Sequence, residues 1–306
     1  MEEKLEEIQA FQKAGEILKS VRDTIISEIK PGMSLLQIAE KIESMIKEKG
    51  GSPAFPVNIC VGNVAAHFTP LSEEDGVIPE DKVIKLDFGV HINGYSVDSA
   101  RTLYFGDDPL KKEMIEVVNS ALDLAISKIK PGVKLSEIGA AIDDYVRERG
   151  FKTISNLNGH KIEQWILHGD KEVPTSKEVP APGVIEENEV YAVEIFVTNG
   201  EGKARARDEY RIFSFPKELP KRISIHLRVA RDILFYVHKQ RKSLPFTIRW
   251  LKERFSDRDI KVGLAVLEST GFLLRYPVLE EKEGKIVVQA EDTVIVTKEG
   301  AKILTR

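Results

Sequence analysis

A chain of 306 residues with a net charge of −4 can hold one large domain or two smaller ones, and it lacks the positive excess of a general nucleic-acid binder. The single cysteine, Cys60, excludes a disulfide framework and a thiolate zinc cluster and fits a reducing, cytoplasmic compartment. No apolar run is long enough to span a bilayer, and the acidic opening MEEKLEEIQAFQ lacks a signal-peptide pattern, so no membrane partner is expected.

In chain order, helical periodicity covers roughly 3–29. An amphipathic helix follows in IKPGMSLLQIAEKIESMIKEKG (29–50), with Leu35, Ile38, Ile42, Met45 and Ile46 at helical spacing, a Ser34–Gln37 capping-box signal and Gly50 as its stop. The stretch IKLDFGVHINGYSVDS (84–99) reads as a β-hairpin, because Asn93-Gly94 is a type I′ turn signal between strand-forming residues. A two-residue loop there opposes Ile92 to Tyr95, Asp87 to Ala100 and Gly89 to Asp98. Both aspartates then share one face as diagonal neighbours. Two buried like charges about 6 Å apart repel by roughly 3 kcal/mol at an effective dielectric near 20, so the pair needs a shared proton, an arginine or a metal.

The pattern then repeats. A second helix pair is expected at about 110–129 and 129–150, where IKPGVKLSEIGAAIDDYVRERG matches residues 29–50 at nine identical positions with an offset of 100. GVIPEDKVIKLD (76–87) matches GVIEENEVYAVE (183–194) at an offset of 107, so Glu194 stands where Asp87 stands. His67 and His168 lie 101 apart. The reading is two ααββ halves related by a pseudo-twofold, each directing an acidic strand at a shared centre. Residues 203–261 interrupt the second half with a net charge of +10 and look helical, at 223–240 and 247–255. Strand alternation returns at 276–304.

Asp87, Asp98, Glu194 and Glu291 accumulate as candidate ligands, with His67, His160 and His168 between them. Carboxylates with imidazole and no thiolate suit Mn, Fe, Co or Zn. So many acidic groups suit two ions bridged by carboxylates about 3.5–4 Å apart, an arrangement that serves hydrolysis. Taken singly, His160 would be a hydrogen-bonded core histidine, and Phe55, Leu167 and Tyr276 core packing. His91, His226 and His238 are expected in surface or packing roles.

In order, LDFGVHINGYSVDSA, NLNGHKIEQWILHG, VEIF and VVQAED closely resemble the dinuclear methionine aminopeptidases, and the basic insert before the last motif is similar to that of their type 2, archaeal and eukaryotic, branch. The resemblance covers essentially the whole chain. It implies the α+β pita-bread fold, two pseudo-symmetric ααββ halves around an antiparallel sheet, with 1–202 and 262–306 as catalytic domain and 203–261 as a basic helical insert subdomain. A monomer is expected. It implies a hydrolase that removes the N-terminal methionine of nascent polypeptides, a metal-bridged hydroxide attacking the first peptide carbonyl. The ligands it implies for two divalent ions (Co, Mn, Fe or Zn) are Asp87, Asp98, His160, Glu194 and Glu291, with Glu194 also shuttling the proton. His67 and His168 resemble the non-ligand pair that contacts the scissile amide and the tetrahedral intermediate. Phe55, Leu167 and Tyr276 resemble walls of the methionine pocket. The chain departs from the family's usual residues at Gly169-Asp170, Asp292 and Cys60, which puts rate or substrate preference in play. Two other readings exist within this fold: a metal-free binding protein, whose relatives typically lack several ligands, and a proline-specific peptidase, whose branch usually carries an extra N-terminal domain. The insert is expected either to cover the rim of the site or to touch ribosomal RNA, with Arg241 and Lys242 as the charges to test.

Overall fold

The computed structural model describes residues 2–220 and 225–306. Helices α1 (Glu2–Glu28) and α2 (Leu35–Glu48) precede the hairpin of Ile84–Ile92 and Tyr95–Leu103; α3 (Pro109–Lys128) and α4 (Leu135–Arg147) precede the strand Val190–Thr198. Ser34 caps α2 by accepting from Gln37 N, but the Gln37 side chain turns to Glu73 rather than closing the box. The duplication extends to single hydrogen bonds. Gly32 N donates to Ile78 O and Gly132 N to Ile185 O, both at 2.8 Å, and Ile78 N and Ile185 N return to Met33 O and Val133 O. Gly32 and Gly132 both sit at φ 86, a left-handed backbone that glycine adopts without cost.

The hairpin has the register that its turn predicts: Ile92 pairs Tyr95, Asp87 pairs Ala100 and Gly89 pairs Asp98. Asn93 and Gly94 take φ 52 and 86, as a type I′ turn requires. In the second half, the mate of Val190–Thr198 is Val287–Thr297. Residues 199–286 therefore stand where the first half has two turn residues.

These four strands form the centre of a ten-stranded sheet, in the order Ile84–Ile92, Tyr95–Leu103, Val287–Thr297, Val190–Thr198. Side chains alternate across it. Ile84, Leu86, Phe88 and Val90 join α1 and α2 in one apolar core, while Tyr191, Val193, Ile195 and Val197 join α3 and α4 in another. The intervening positions face the opposite side, where a smaller four-stranded sheet and the insert close over them.

The insert differs from its sequence reading at its start. Ala204–Ser214 is a strand, not helix; it pairs with Leu274–Glu281, a partner far along the chain that local composition does not announce. Helices follow as α5 (Arg228–Arg241), α6 (Ile248–Leu251) and α7 (Asp257–Ser269). Ile223 and Ser224, the first residues of the expected 223–240 helix, lie outside the described residues.

Several of the insert's arginines meet acids of the protein itself. Arg205 and Arg207 pair with Glu280, Arg211 with Asp75 and Arg249 with Glu43. Arg241, expected on the surface, is buried. Its guanidinium finds backbone carbonyls there, which no local pattern foretells.

Candidate active site

One row across the sheet places the candidate carboxylates. Asp87 pairs Ala100, Ala100 pairs Glu291 and Glu291 pairs Glu194. Directly opposed residues share a face, so Asp87, Glu291 and Glu194 project together, and the small Ala100 leaves space between them. Asp98 lies two residues from Ala100 on the same face. His160 pairs Ala192, two residues before Glu194, and joins them.

The ligand atoms fall into two groups, Asp98–His160–Glu291 and Asp87–Glu194–Glu291, with atoms in each within 4.8 Å of one another. Glu291 belongs to both. Asp87 Oδ1, Asp98 Oδ1 and both Glu291 oxygens are buried without a hydrogen-bond partner. His160 Nε2 is 4.0 Å from Asp98 Oδ2. Clustered, unpartnered anionic oxygens with one imidazole have the donor chemistry of a divalent-cation site, and the residues fit such an ion.

Electrostatics agree. Burial pushes Asp87 up to about 7. Burial and then mutual repulsion hold Asp98, Glu194 and Glu291 well above the usual carboxylate range, and burial drives His160 well below the usual imidazole value. The folded, metal-free carboxyls thus keep protons that the unfolded chain releases, whereas His160 gives up a proton that the unfolded chain keeps below its ordinary value near 6.5. The carboxyls' stabilisation is complete below the ordinary carboxyl values near 4 and is lost as pH rises through about 7. Above pH 6.5, where the unfolded chain's imidazoles no longer oppose the trend, chelated protein is expected to lose about 5–10 °C of Tm by pH 8, and Mn added at pH 8 to restore it. Differential scanning calorimetry checks both arms; a Tm that is flat with pH and indifferent to Mn contradicts the cation reading.

Around this floor lies a cavity of about 290 Å³. Its walls include Phe55, His67, Leu167, His168 and Tyr276, so every residue singled out as substrate-binding reaches one chamber with Asp87, Asp98, His160 and Glu194. His67, at φ 65, bonds through Nδ1 to Pro277 O at 3.0 Å. The Tyr276 ring lies 5.6 Å from the His67 ring and 6.4 Å from the His168 ring. Burial lowers His67; His168, whose side chain is open to solvent in the cavity, is lowered to about 4 by the crowding of the chamber wall and by the His67 charge, so both are neutral near pH 7. Phe55 and Leu167 pack in a small apolar cluster with Ala54, Leu244 and Trp165.

Several contributors were not singled out from sequence. Gln289 Nε2 donates to Glu194 Oε1 (2.8 Å) and Asp87 Oδ2 (3.3 Å), bridging the two halves. Alternation from Glu291 puts Gln289 on the ligand face, so the signal was available. Thr293 Oγ1 accepts from Asp98 N and donates to Asp98 O, fixing that strand's position. Ile212 and Pro245 line the cavity from the insert, with no local signal.

The departures separate cleanly. Asp292 projects to the opposite face from Glu291, where Arg101 grips it with two bonds and Arg306 and Thr305 add one each. Gly169 lines the cavity, and a Cβ there would lie 2.8 Å from Lys161 O; Asp170 is exposed and pairs with Lys161. Cys60 is buried and pushed up to about 12, an inert thiol. His91 is buried edge-on to Trp165, His238 bonds Lys217 O, and His226 is exposed; none joins the centre.

The sequence profile of Metallopeptidase family M24 matches residues 9–214. The chain belongs to this family. Relatives among the M24 peptidases include the methionine aminopeptidases of Thermococcus kodakarensis, 39% identical over 98% of this chain and 100% of its own length, and of Pyrococcus horikoshii, 40% identical over 98% and 99%. Solved M24-like folds include a thermophilic Arx1 (TM-score 0.84, 18% identity, 98% of this chain and 90% of that one) and the methionine aminopeptidase of Thermotoga maritima (TM-score 0.71, 20% identity, 98% and 97%). The prolidase of Pyrococcus furiosus shares the fold at TM-score 0.64 and 21% identity, with 98% of this chain covering 64% of that protein.

Proposed function

We propose that this M24 peptidase removes the N-terminal methionine of polypeptides, using two divalent cations held by Asp87, Asp98, His160, Glu194 and Glu291. The observation that supports it is the pair of ligand groups sharing the buried Glu291, whose other members, Asp87, Asp98, His160 and Glu194, line a cavity with an apolar wall. When bound, the cations would acidify water and polarise the scissile carbonyl.

The chain's own residues do the rest. Glu194, oriented by Gln289, takes the proton of the attacking water and delivers it to the departing amine. His67 donates from Nδ1 to Pro277 O, which leaves Nε2 as acceptor for the scissile N–H. Neutral His168 donates to the oxygen that gains charge in the transition state. Phe55, Leu167 and Tyr276 form a pocket for an unbranched, polarisable thioether. A ribosomal contact would use the exposed face of α5, where Arg228, Arg231 and Lys239 are free of the pairing described above.

Titrating Mn, Fe or Co into chelated protein is expected to restore hydrolysis of Met-Ala-Ser by at least about 10²-fold over an Ala-Pro peptide. Preference for Ala-Pro would transfer the assignment to a proline-specific peptidase. No metal-dependent hydrolysis of either would leave the metal-free binding protein.

A further inference from the structure

Arg241 ends α5 and is only 9% exposed, yet among the described residues it makes no ion pair. Its Nε donates to Pro245 O at 3.0 Å, and Nη2 donates to Pro53 O at 2.8 Å and Ala54 O at 2.9 Å. Its guanidinium also lies 4.6 Å from the centroid of the Trp250 ring, whose Nε1 is bonded to Glu43. Pro245 lines the cavity, and Ala54 adjoins Phe55, which does too. One side chain of the insert thus ties together two wall segments from distant parts of the chain. The planar fork reaches these carbonyls from two edges at once, through Nε and Nη2, a geometry that a compact ammonium does not reproduce.

The neighbourhood shows why such a tie matters. On its inner side the Pro53–Phe55 segment rests on the hairpin without slack: a Cβ on Gly89 would be 2.7 Å from Phe55 Cε1. On its outer side lies a second cavity of about 140 Å³, bordered by Pro53, His91 and Arg241. The hairpin holds the segment on one side, through the pairing of Pro53 with Val90 and the bond from Ala54 N to Gly89 O at 2.9 Å, and the guanidinium is its tie on the side of the insert. Beyond Arg241, Lys242 takes φ 49, an unfavoured backbone for a lysine, and the reversal brings Leu244 into the apolar cluster with Phe55 and Leu167.

We propose that Arg241 is a positioning residue that sets which first side chain the pocket accepts, by holding the Phe55 and Pro245 walls forward. The proposal rests on the aminopeptidase reading above. Arg241→Gln and Arg241→Lys, loaded with Mn, are assayed on Met-, Leu- and Phe-Ala-Ser peptides, with Tm and metal stoichiometry measured alongside. For Arg241→Gln, KM for Met-Ala-Ser is expected to rise about tenfold with kcat within about threefold, and the Met-over-Leu preference to fall about tenfold. Arg241→Lys, which keeps the charge but not the fork, is expected to lose about threefold of the preference, with metal stoichiometry unchanged in both variants. An unchanged Met-over-Leu ratio overturns the proposal even where overall rate drops. If Arg241→Gln does not fold, Arg241→Lys decides by the same ratio. Wild-type protein inactive on Met-Ala-Ser would overturn the aminopeptidase reading instead, so the two failures are distinct.

Discussion

Glu291→Ala is expected to lower kcat/KM for Met-Ala-Ser by at least about 10³-fold and to remove both cations rather than one. The reason is geometric. Glu291 is the member common to both ligand groups, whereas Asp87 and His160 each belong to one. Asp87→Ala or His160→Ala should therefore leave one group intact, visible as residual binding at reduced stoichiometry in calorimetric Mn titration. The loss should not reflect misfolding. Both Glu291 oxygens are buried without a partner, and its carboxyl is held far from its ordinary acidity by burial and the neighbouring acids. Metal-free Glu291→Gln should accordingly melt above metal-free wild type at pH 8, because an uncharged amide replaces a group that resists ionisation there. Retention of both ions by Glu291→Ala would break the proposed centre.

Glu43→Ala is expected to cost about 3–5 kcal/mol of stability, the range for stranding one partner of a buried pair. Glu43 is 4% exposed and accepts from Arg249 through both oxygens (2.7 and 2.9 Å), from Trp250 Nε1 (2.7 Å) and from Val57 N (3.4 Å). Removing it leaves the Arg249 guanidinium without its acid and loosens the insert from α2. Urea denaturation followed by tryptophan fluorescence measures this, since Trp250 reports on the contact. Its counterpart in the repeat, Asp143 on α4, serves a local purpose instead, bonding Ser176, Lys177 N and Arg147. Asp143→Ala should affect the second half and leave the insert docked. Equal effects from both would mean that Glu43 does not anchor the insert.

Legibility in the sequence followed how local the controlling physics is. Asn93-Gly94 defines a two-residue turn, and once the turn is set every cross-strand partner from Ile84 to Leu103 follows by counting. The duplication was equally plain, because each half packs the same amphipathic helix onto the same kind of strand. Period-two alternation then put Asp87, Asp98, Glu194 and Glu291 on one face. Ala204–Ser214 was misread because its charged composition has no strand signature of its own; pairing with Leu274–Glu281 decides it. Arg241 was misread for a related reason. Lysine and arginine in a basic stretch are ordinarily solvated, and only carbonyls from Pro53, Ala54 and Pro245 make its burial tolerable. Asp292 looked as if it belonged to the chemistry by proximity in sequence, but adjacent strand residues point opposite ways.

The long excursion at 199–286 has a consequence for how the molecule assembles. Asp87 and Asp98 meet across a two-residue turn, a step of microseconds, whereas Glu194 must find Glu291 across the whole excursion. Closing a floppy loop of that length costs on the order of 3 kcal/mol more than closing a short one. The insert has a private apolar core of its own, built from residues such as Phe215, Ile233, Leu234, Phe246 and Leu267. Early collapse of that core would shorten the path between the two strands before they pair, so weakening it is expected to slow completion of the second hairpin more than closure of the first.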